Sequence, residues 1–267
     1  MGRKLGQHFL KDKNVLRKIV SVLDLKDGDI VLEIGAGHGE LTKEILAAGK
    51  KIKLIAVEKD KKLIECLRKD FPSASFPNLL ILEEDILKII SSQDFFIQEK
   101  INKVVGNIPY YLTGYLLRKI SELERKPSLI VFLLQKELAL RICAQPPKMN
   151  LLAASIQFWA DPRILFLVKR GSFSPLPQVE SAVISLKTKK LALNRKSFLK
   201  AKEFFNFIRV LFKQPRKTIV NNLMAGGYPR EKIISSLSSL GLKENLRPQQ
   251  LSLNLILDLL KRISEEN

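Results

Sequence analysis

The sequence predicts an α/β protein with a mostly parallel sheet, followed by a small all-helical domain, and three observations carry that prediction. Short apolar runs alternate with helix-like segments as far as Leu134. The first of these runs opens into a glycine-rich turn, and beyond Lys196 the apolar spacing becomes that of helices alone. With 267 residues, 46% of them hydrophobic, the chain can bury a large core and divide in two. The boundary is set near Lys190, in the lysine-rich stretch Lys187 to Lys196, giving domains 1–190 and 191–267.

The first strand is Asp29-Ile30-Val31-Leu32, and it runs into Glu33-Ile34-Gly35-Ala36-Gly37-His38-Gly39 and then a helix from Glu40 to Leu46. Strand, glycine turn and helix N-terminus make a cofactor corner, where the backbone approaches a ligand with no Cβ in the way. The spacing is G-x-G-x-G, whereas the dinucleotide pattern requires glycine where this chain has Glu40, which favours a nucleoside without a pyrophosphate. The second run, Leu54 to Val57, ends in Glu58, placed to accept hydrogen bonds from a ribose diol. The third, Leu79 to Leu82, is followed by Asp85, a candidate acceptor for an adenine amino group. Taken singly, such acids are usually solvated; their ordered recurrence at successive strand ends is what gives them weight.

A fourth strand, Ile101 to Val105, delivers Asn107-Ile108-Pro109-Tyr110. Adenine's amino nitrogen is a poor nucleophile because its lone pair is delocalised into the ring. The Asn107 side-chain oxygen and the Ile108 carbonyl can accept from its N–H groups and localise that pair. Pro109 fixes the turn and holds Ile108 extended, and Tyr110 can stack on an extracted base. Next come a run to Leu134, a helix-like segment from Lys136 to Ala144, and β runs Ile164 to Val168 and Val179 to Leu186 as an edge hairpin around a proline-bearing loop at Phe173. Helices are expected over Phe198 to Phe212, Pro215 to Met224, Arg230 to Leu240 and Leu251 to Ile263.

Four segments, Gly6 to Leu10, Glu33 to Gly39, Asn107 to Tyr110 and Phe173 to Val183, resemble the signatures of the rRNA adenine N6-dimethyltransferases, in order and at the usual separations. The resemblance extends to Arg247-Pro248 and Leu251-Ser252 and is nearest to the KsgA branch, which acts on small-subunit (16S) rRNA. It implies a Rossmann-like S-adenosylmethionine-dependent methyltransferase sheet with a C-terminal all-helical RNA-binding domain. It further implies that Gln7, His8 and Leu10 close over S-adenosyl-L-methionine, with Gly35 and Gly37 under its methionine part, Glu58 on its ribose, and Asp85 and Ile86 around its adenine. Asn107 then touches cofactor and target, and Tyr110 and Phe173 sandwich the target base. Two positions depart from the family pattern: Ile108 stands where leucine is commoner, and Pro215 where a basic residue is commoner, read here as lying in a helix's first turn.

Lys and Arg number 46 against 27 acidic residues, a formal net charge of +19, which suits a polyanionic partner and strongly salt-dependent binding. The candidate RNA contacts are Arg3, Lys4, Lys213, Arg216 and Lys217, with Lys187 to Lys190, Arg195 and Lys196 beside them. Cys66 and Cys143 lack metal-ligand spacing and are expected to be buried reduced thiols, with no metal site. Trp159, Phe204, Phe205 and Phe207 are expected in the core, and His38 exposed in its turn. With no signal-like or spanning apolar run, the protein is expected to be soluble, cytoplasmic and monomeric. The alternatives left open are a large-subunit (23S) rRNA resistance methyltransferase, a non-catalytic nucleic-acid-binding factor, and, more distantly, a nicotinamide-dependent dehydrogenase.

Overall fold

The computed structural model describes residues 8–189 and 196–264, with the backbone alone at 93, 110, 111 and 196–200. The chain forms two compact units. One gathers the described residues of Met1–Ala139 and Asp161–Leu193, the other Leu140–Ala160 and those of Asn194–Asn267.

The first unit opens with β1 (Phe9–Leu10) and α1 (Lys13–Val22). Helix α1 starts where it does because the Asp12 carboxylate accepts from the Asn14 and Val15 amides at 3.0 and 3.3 Å. Alternation then follows: β2 (Ile30–Ile34), α2 (Glu40–Leu46), β3 (Lys53–Glu58), α3 (Lys61–Asp70), β4 (Leu79–Glu83), α4 (Ile86–Ser91), α5 (Gln93–Gln98), β5 (Lys103–Asn107), α6 (Tyr110–Glu122), β6 (Leu129–Gln135) and α7 (Lys136–Ile142). The later strands are β7 (Ala160–Val168), β8 (Phe173–Ser174) and β9 (Ser181–Thr188).

Seven of these strands form one sheet in the order β4-β3-β2-β5-β6-β9-β7. The first five pair in parallel and β9 runs antiparallel to β6. Val31, Leu32, Leu54, Ile55, Val104 and Ile130 are at most 1% exposed, because helices cover both faces of the parallel strands. From β2 the chain builds outward through β3 to β4, then returns to the other side of β2 with β5. The reversal leaves a crevice beyond the carboxyl ends of β2 and β5, the usual ligand position in such sheets.

Strand β5 lies two residues beyond its expected start, because Asn102 is occupied elsewhere: its side chain accepts from the Ile30 amide at 2.8 Å and donates to Asp29 at 2.7 Å. The edge hairpin is present as neighbouring β9 and β7, with β9 inside the sheet and β7 at its edge. Pro162 lies in that edge strand, where a missing N–H is tolerated. A separate two-stranded ribbon, β1 with β8 in antiparallel register Phe9↔Ser174 and Leu10↔Phe173, was not foreseen. Two residues per strand are too few to show a period.

The second unit contains α8 (Leu151–Trp159), α9 (Lys196–Leu211), α10 (Ile219–Ala225), α11 (Arg230–Ser239) and α12 (Leu253–Ser264). Met149, Ala153 and Ala154 are buried with Phe204, Phe207, Ile208, Ile256 and Leu259. The boundary expected near Lys190 therefore needs correction for Leu140–Ala160, which packs with the C-terminal helices. The Pro146-Pro147 pair falls inside that stretch and not at either end of it, so no sequence signal marks where it begins or ends, and its destination is decided by packing. Trp159, Phe204 and Phe207 are buried as expected, with Phe205 partly so.

Helix α10 begins at Ile219, four residues later than expected, with Thr218 as its cap. Pro215 therefore lies before the helix and not in its first turn. The buried Asn222 amide explains the difference: it accepts from the Gln214 N–H at 2.9 Å and donates to the Gln214 and Thr218 carbonyls, both at 3.0 Å, clasping residues 214–218 as a turn. Burial was also expected of both cysteines, but Cys66 is exposed and Cys143 half-buried. Cys66 falls on the face of α3 opposite its buried Leu63, Ile64 and Leu67. No helix among the described residues is long and apolar enough to cross a membrane.

Candidate active site

Three strand ends assemble the site. Ile34 of β2 is level with Val57 of β3 on one side and Gly106 of β5 on the other. The glycine turn, Glu58 and Asn107 therefore emerge side by side. Gly37 and Gly39 have positive φ of 61° and 84°, and a Cβ on Gly39 would lie 2.6 Å from the Phe71 ring. The turn curls back because the Gly35 and Ala36 amides donate to the Val57 carbonyl at 2.8 and 3.2 Å.

Glu58 braces this turn. Its Oε2 accepts from the Gly37 amide at 2.9 Å, and its Oε1 from the Lys59 and Asp60 amides at 2.8 and 3.0 Å. Of the roughly four lone-pair directions of a carboxylate, three are used, leaving one on Oε2 open to a further donor. Asp85 is likewise engaged: Oδ1 accepts from the Leu87 amide at 2.9 Å and caps α4, while Oδ2 pairs with the Lys59 ammonium at 2.7 Å. The Lys59 hydrogen bond holds the Asp85 carboxyl below the ordinary carboxylate range. Ile86 is buried at the start of α4.

A cleft beside the glycine turn is walled by Phe9, Leu10, Leu16 and Ile19 from the N-terminal elements, Glu33, Gly35, Ala36, Gly37, Glu40 and Leu41 from the corner, and Gly106, Asn107 and Leu133 from the neighbouring strands. The structure thus brings Leu10, Gly35, Gly37 and Asn107 to one cleft, while Glu58, Asp85 and Ile86 are not among its walls. Glu33 was quoted in the motif without a role. It is 1% exposed, accepts from the Thr42 hydroxyl at 2.6 Å, and burial pushes its carboxyl up to about 8, with Glu40 and Glu58 adding repulsion. The signal for it was a charged residue inside an otherwise apolar strand. Phe9, also given no role, packs its ring edge-on to the exposed His38 with centroids 4.4 Å apart, and a Cβ on Gly37 would lie 3.1 Å from it. Gly35, Gly37, the buried Glu33 carboxyl and the Phe9 ring are therefore the groups this cleft could offer to S-adenosylmethionine.

Asn107 donates from Nδ2 to the His8 carbonyl at 2.7 Å, which leaves Oδ1 as the acceptor of that side chain. Ile108 is buried, its amide donating to the Leu133 carbonyl at 3.2 Å, and Pro109 is extended (φ −55°, ψ 136°) as the cap of α6. Tyr110 is the first residue of that helix, its side chain lying outside the described residues. Phe173 joins through the ribbon opposite Leu10. Its ring, assigned by resemblance to the target base, is 7% exposed and packed with Leu10, Val105, Leu133 and Val183, so it offers little open face in this structure.

Gly106 marks how closely the two strand ends approach. A Cβ there would lie 2.6 Å from the Ile34 carbonyl oxygen and 2.9 Å from Ile108 Cδ1. Backbone cannot yield without breaking the β2–β5 ladder, so Gly106→Ala is expected to destabilise the protein by about 1–3 kcal/mol. Thermal unfolding checks this, and an unchanged midpoint would contradict it.

In the second unit, Lys213, Arg216 and Lys217 are exposed on the turn clasped by Asn222. Arg3, Lys4 and Gln7 lie outside the described residues, as do Lys190, Arg195 and the side chain of Lys196.

Residues 1–265 match the family described as ribosomal RNA adenine dimethylase. The ribosomal RNA small subunit methyltransferase A of Mycoplasma mycoides subsp. mycoides is 35% identical over 98% of this chain and 97% of its own. That of Prosthecochloris aestuarii is 40% identical over 83% and 80%. Among solved structures, a dimethyladenosine transferase from Plasmodium falciparum is 27% identical with a TM-score of 0.78, covering 94% of this chain and 96% of that one. The 23S rRNA methyltransferase ErmE shares the fold at 21% identity and a TM-score of 0.75, covering 96% of this chain and 100% of that one. A match running along nearly the whole chain, over the same segments that build the cleft, settles the relationship: the chain belongs to the ribosomal RNA adenine dimethylase family.

Proposed function

We propose that this protein uses S-adenosylmethionine to convert two adjacent adenosines near the 3′ end of 16S rRNA into N6,N6-dimethyladenosine during small-subunit assembly, acting as a cytoplasmic monomer. The observation that carries the reading is the emergence of the glycine corner and Asn107 from paired positions, Ile34↔Gly106, which sets a cofactor floor and an amine-holding group at adjoining strand ends.

The cofactor supplies a methyl group already activated by its sulfonium. The protein's part is to position. Gly35 and Gly37 offer backbone to the methionine portion, Glu58 and Asp85 take the ribose and adenine, and His8 and Leu10 close the cleft with Gln7. Asn107 Oδ1 and the Ile108 carbonyl accept from the target amine and aim its lone pair at the methyl, with Tyr110 and Phe173 flanking the base. The proton leaves to water after transfer, so no general base is needed. Lys213, Arg216 and Lys217 present positive charge to phosphates, Arg3 and Lys4 are further candidate RNA contacts, and the helical unit is the RNA-binding domain.

The small-subunit reading is favoured over the 23S alternative by relatives at 35 and 40% identity, each named as a small subunit methyltransferase, against 21% for the large-subunit enzyme. Nucleoside analysis of a 3′-terminal 16S hairpin, with each adenosine replaced by guanosine in turn, is expected to give dimethyladenosine at the remaining one. Dimethyladenosine from only one of the two substituted hairpins would contradict the paired target. A Lys213→Ala, Arg216→Ala, Lys217→Ala triple variant is expected to weaken RNA binding and to flatten the log–log salt slope by about one per lost phosphate contact. An unchanged slope would remove these residues from the interface.

A further inference from the structure

The segment between β8 and β9 carries an exposed leucine that the chemistry above does not use. Leu176 is 56% exposed, the most exposed large hydrophobic side chain among the described residues. A single surface leucine is ordinary on its own. What sets this one apart is how the backbone on either side is held. The carbonyl of Pro175 lies 2.9 Å from His8 Nδ1 and can only accept, so Nδ1 carries the proton. The carbonyl of Pro177 accepts from Arg170 Nε at 2.7 Å. Both prolines have φ fixed by their rings. The residue between them is thus presented outward by a backbone fastened one residue before and one residue after.

The same fastening reaches the reaction centre. His8 gives its carbonyl to Asn107 Nδ2 at 2.7 Å and its ring to Pro175, so Asn107, His8 and the Leu176 loop form one connected chain of contacts. Phe173 begins this loop and is tied to Leu10 of the cleft by the ribbon register. The surroundings favour RNA: Lys169 and Arg170 are exposed at the loop's entry, and Glu180 at its exit is neutralised by Lys136 at 2.8 Å.

We propose that Leu176 is a wedge that enters the RNA stack beside the target adenosine and fills the place of the extracted base, making it a positioning residue for methyl transfer. The inference rests on the rRNA adenine reading above. An adenosine must leave its stack to reach Asn107, and an apolar side chain inserted at the vacated step offsets the lost stacking. A wedge has to be apolar, exposed before RNA arrives and held against recoil, and Leu176 has all three properties.

The test compares wild type, Leu176→Ala and Leu176→Met on two RNAs: a 3′-terminal 16S hairpin carrying 2-aminopurine beside the target adenosine, and the same hairpin with abasic neighbours, where no stack resists extraction. Leu176→Ala is expected to lower kcat/KM on the stacked hairpin by about tenfold or more, to lose the 2-aminopurine fluorescence rise on binding, and to recover on the abasic hairpin, with cofactor affinity and unfolding midpoint unchanged. Leu176→Met is expected to restore both activity and fluorescence. Equal loss on the two RNAs, or none on either, would overturn the wedge. Failure of the wild type to methylate either RNA would instead overturn the underlying functional reading.

Discussion

Replacing Asn107 by alanine is expected to lower kcat for methyl transfer by about 10²–10³-fold, the cost of removing one oriented polar partner from a reacting centre. The variant loses two things at once. Without Oδ1 the target amine lacks one of the acceptors that localise its lone pair. Without Nδ2 the His8 carbonyl loses the 2.7 Å bond that ties the N-terminal segment to the end of β5. The second loss is a single hydrogen bond, about 1 kcal/mol, and is expected to weaken S-adenosylmethionine binding only severalfold. Steady-state kinetics with calorimetric titration of the cofactor separates the two, since the acceptor acts on kcat and the tether on cofactor affinity. A kcat within about threefold of wild type would remove Asn107 from the chemistry.

Glu33→Gln is expected to stabilise the protein at alkaline pH and to flatten its stability between pH 4.5 and 8. Burial raises the Glu33 carboxyl from 4.5 to about 8, a shift of about 3.5 units, which at 1.36 kcal/mol per unit sets a ceiling of about 5 kcal/mol. The folded protein holds this proton more tightly than the unfolded chain. Its contribution is therefore fully present below pH 4.5, is lost as pH rises, and is gone above about 8. A glutamine keeps an acceptor for the Thr42 hydroxyl, 2.6 Å away in the wild type, and has nothing to ionise. Carboxylates held below the ordinary range, such as Asp85, act in the opposite sense and at lower pH, so the difference between variant and wild type isolates Glu33. Unfolding midpoints at pH 5, 7 and 8.5 check this, and parallel curves for the two proteins would contradict it.

How legible these features were in the sequence follows from their length and their range. The parallel strands were readable because a strand covered on both faces needs an unbroken apolar run, and the glycine corner because only glycine tolerates those φ values and contacts. Groups whose partners lie far along the chain were not readable. The Leu140–Ala160 segment looks like the sheet unit that precedes it, yet it buries Met149, Ala153 and Ala154 among the helices. The start of α10 is decided by Asn222 reaching back to Gln214, which displaces Pro215 from the helix. In the site, the residue types at Glu58 and Asp85 were read for ligand contacts, but the sequence does not show that Glu58 already braces Gly37 or that Asp85 already pairs with Lys59. The ribbon of β1 and β8, too short to carry a pattern, joins the N-terminal segment to Phe173.

The cleft and Asn107 are expected to act together in methylating small-subunit rRNA. The most direct measurement is transfer of tritiated methyl from S-adenosylmethionine to under-methylated small subunits and, in parallel, to large-subunit RNA, with Asn107→Ala as control and nucleoside digestion of the product. N6,N6-dimethyladenosine is expected in the small-subunit sample alone, and none with the variant. Label in large-subunit RNA, or cofactor binding without transfer to either RNA, would contradict it.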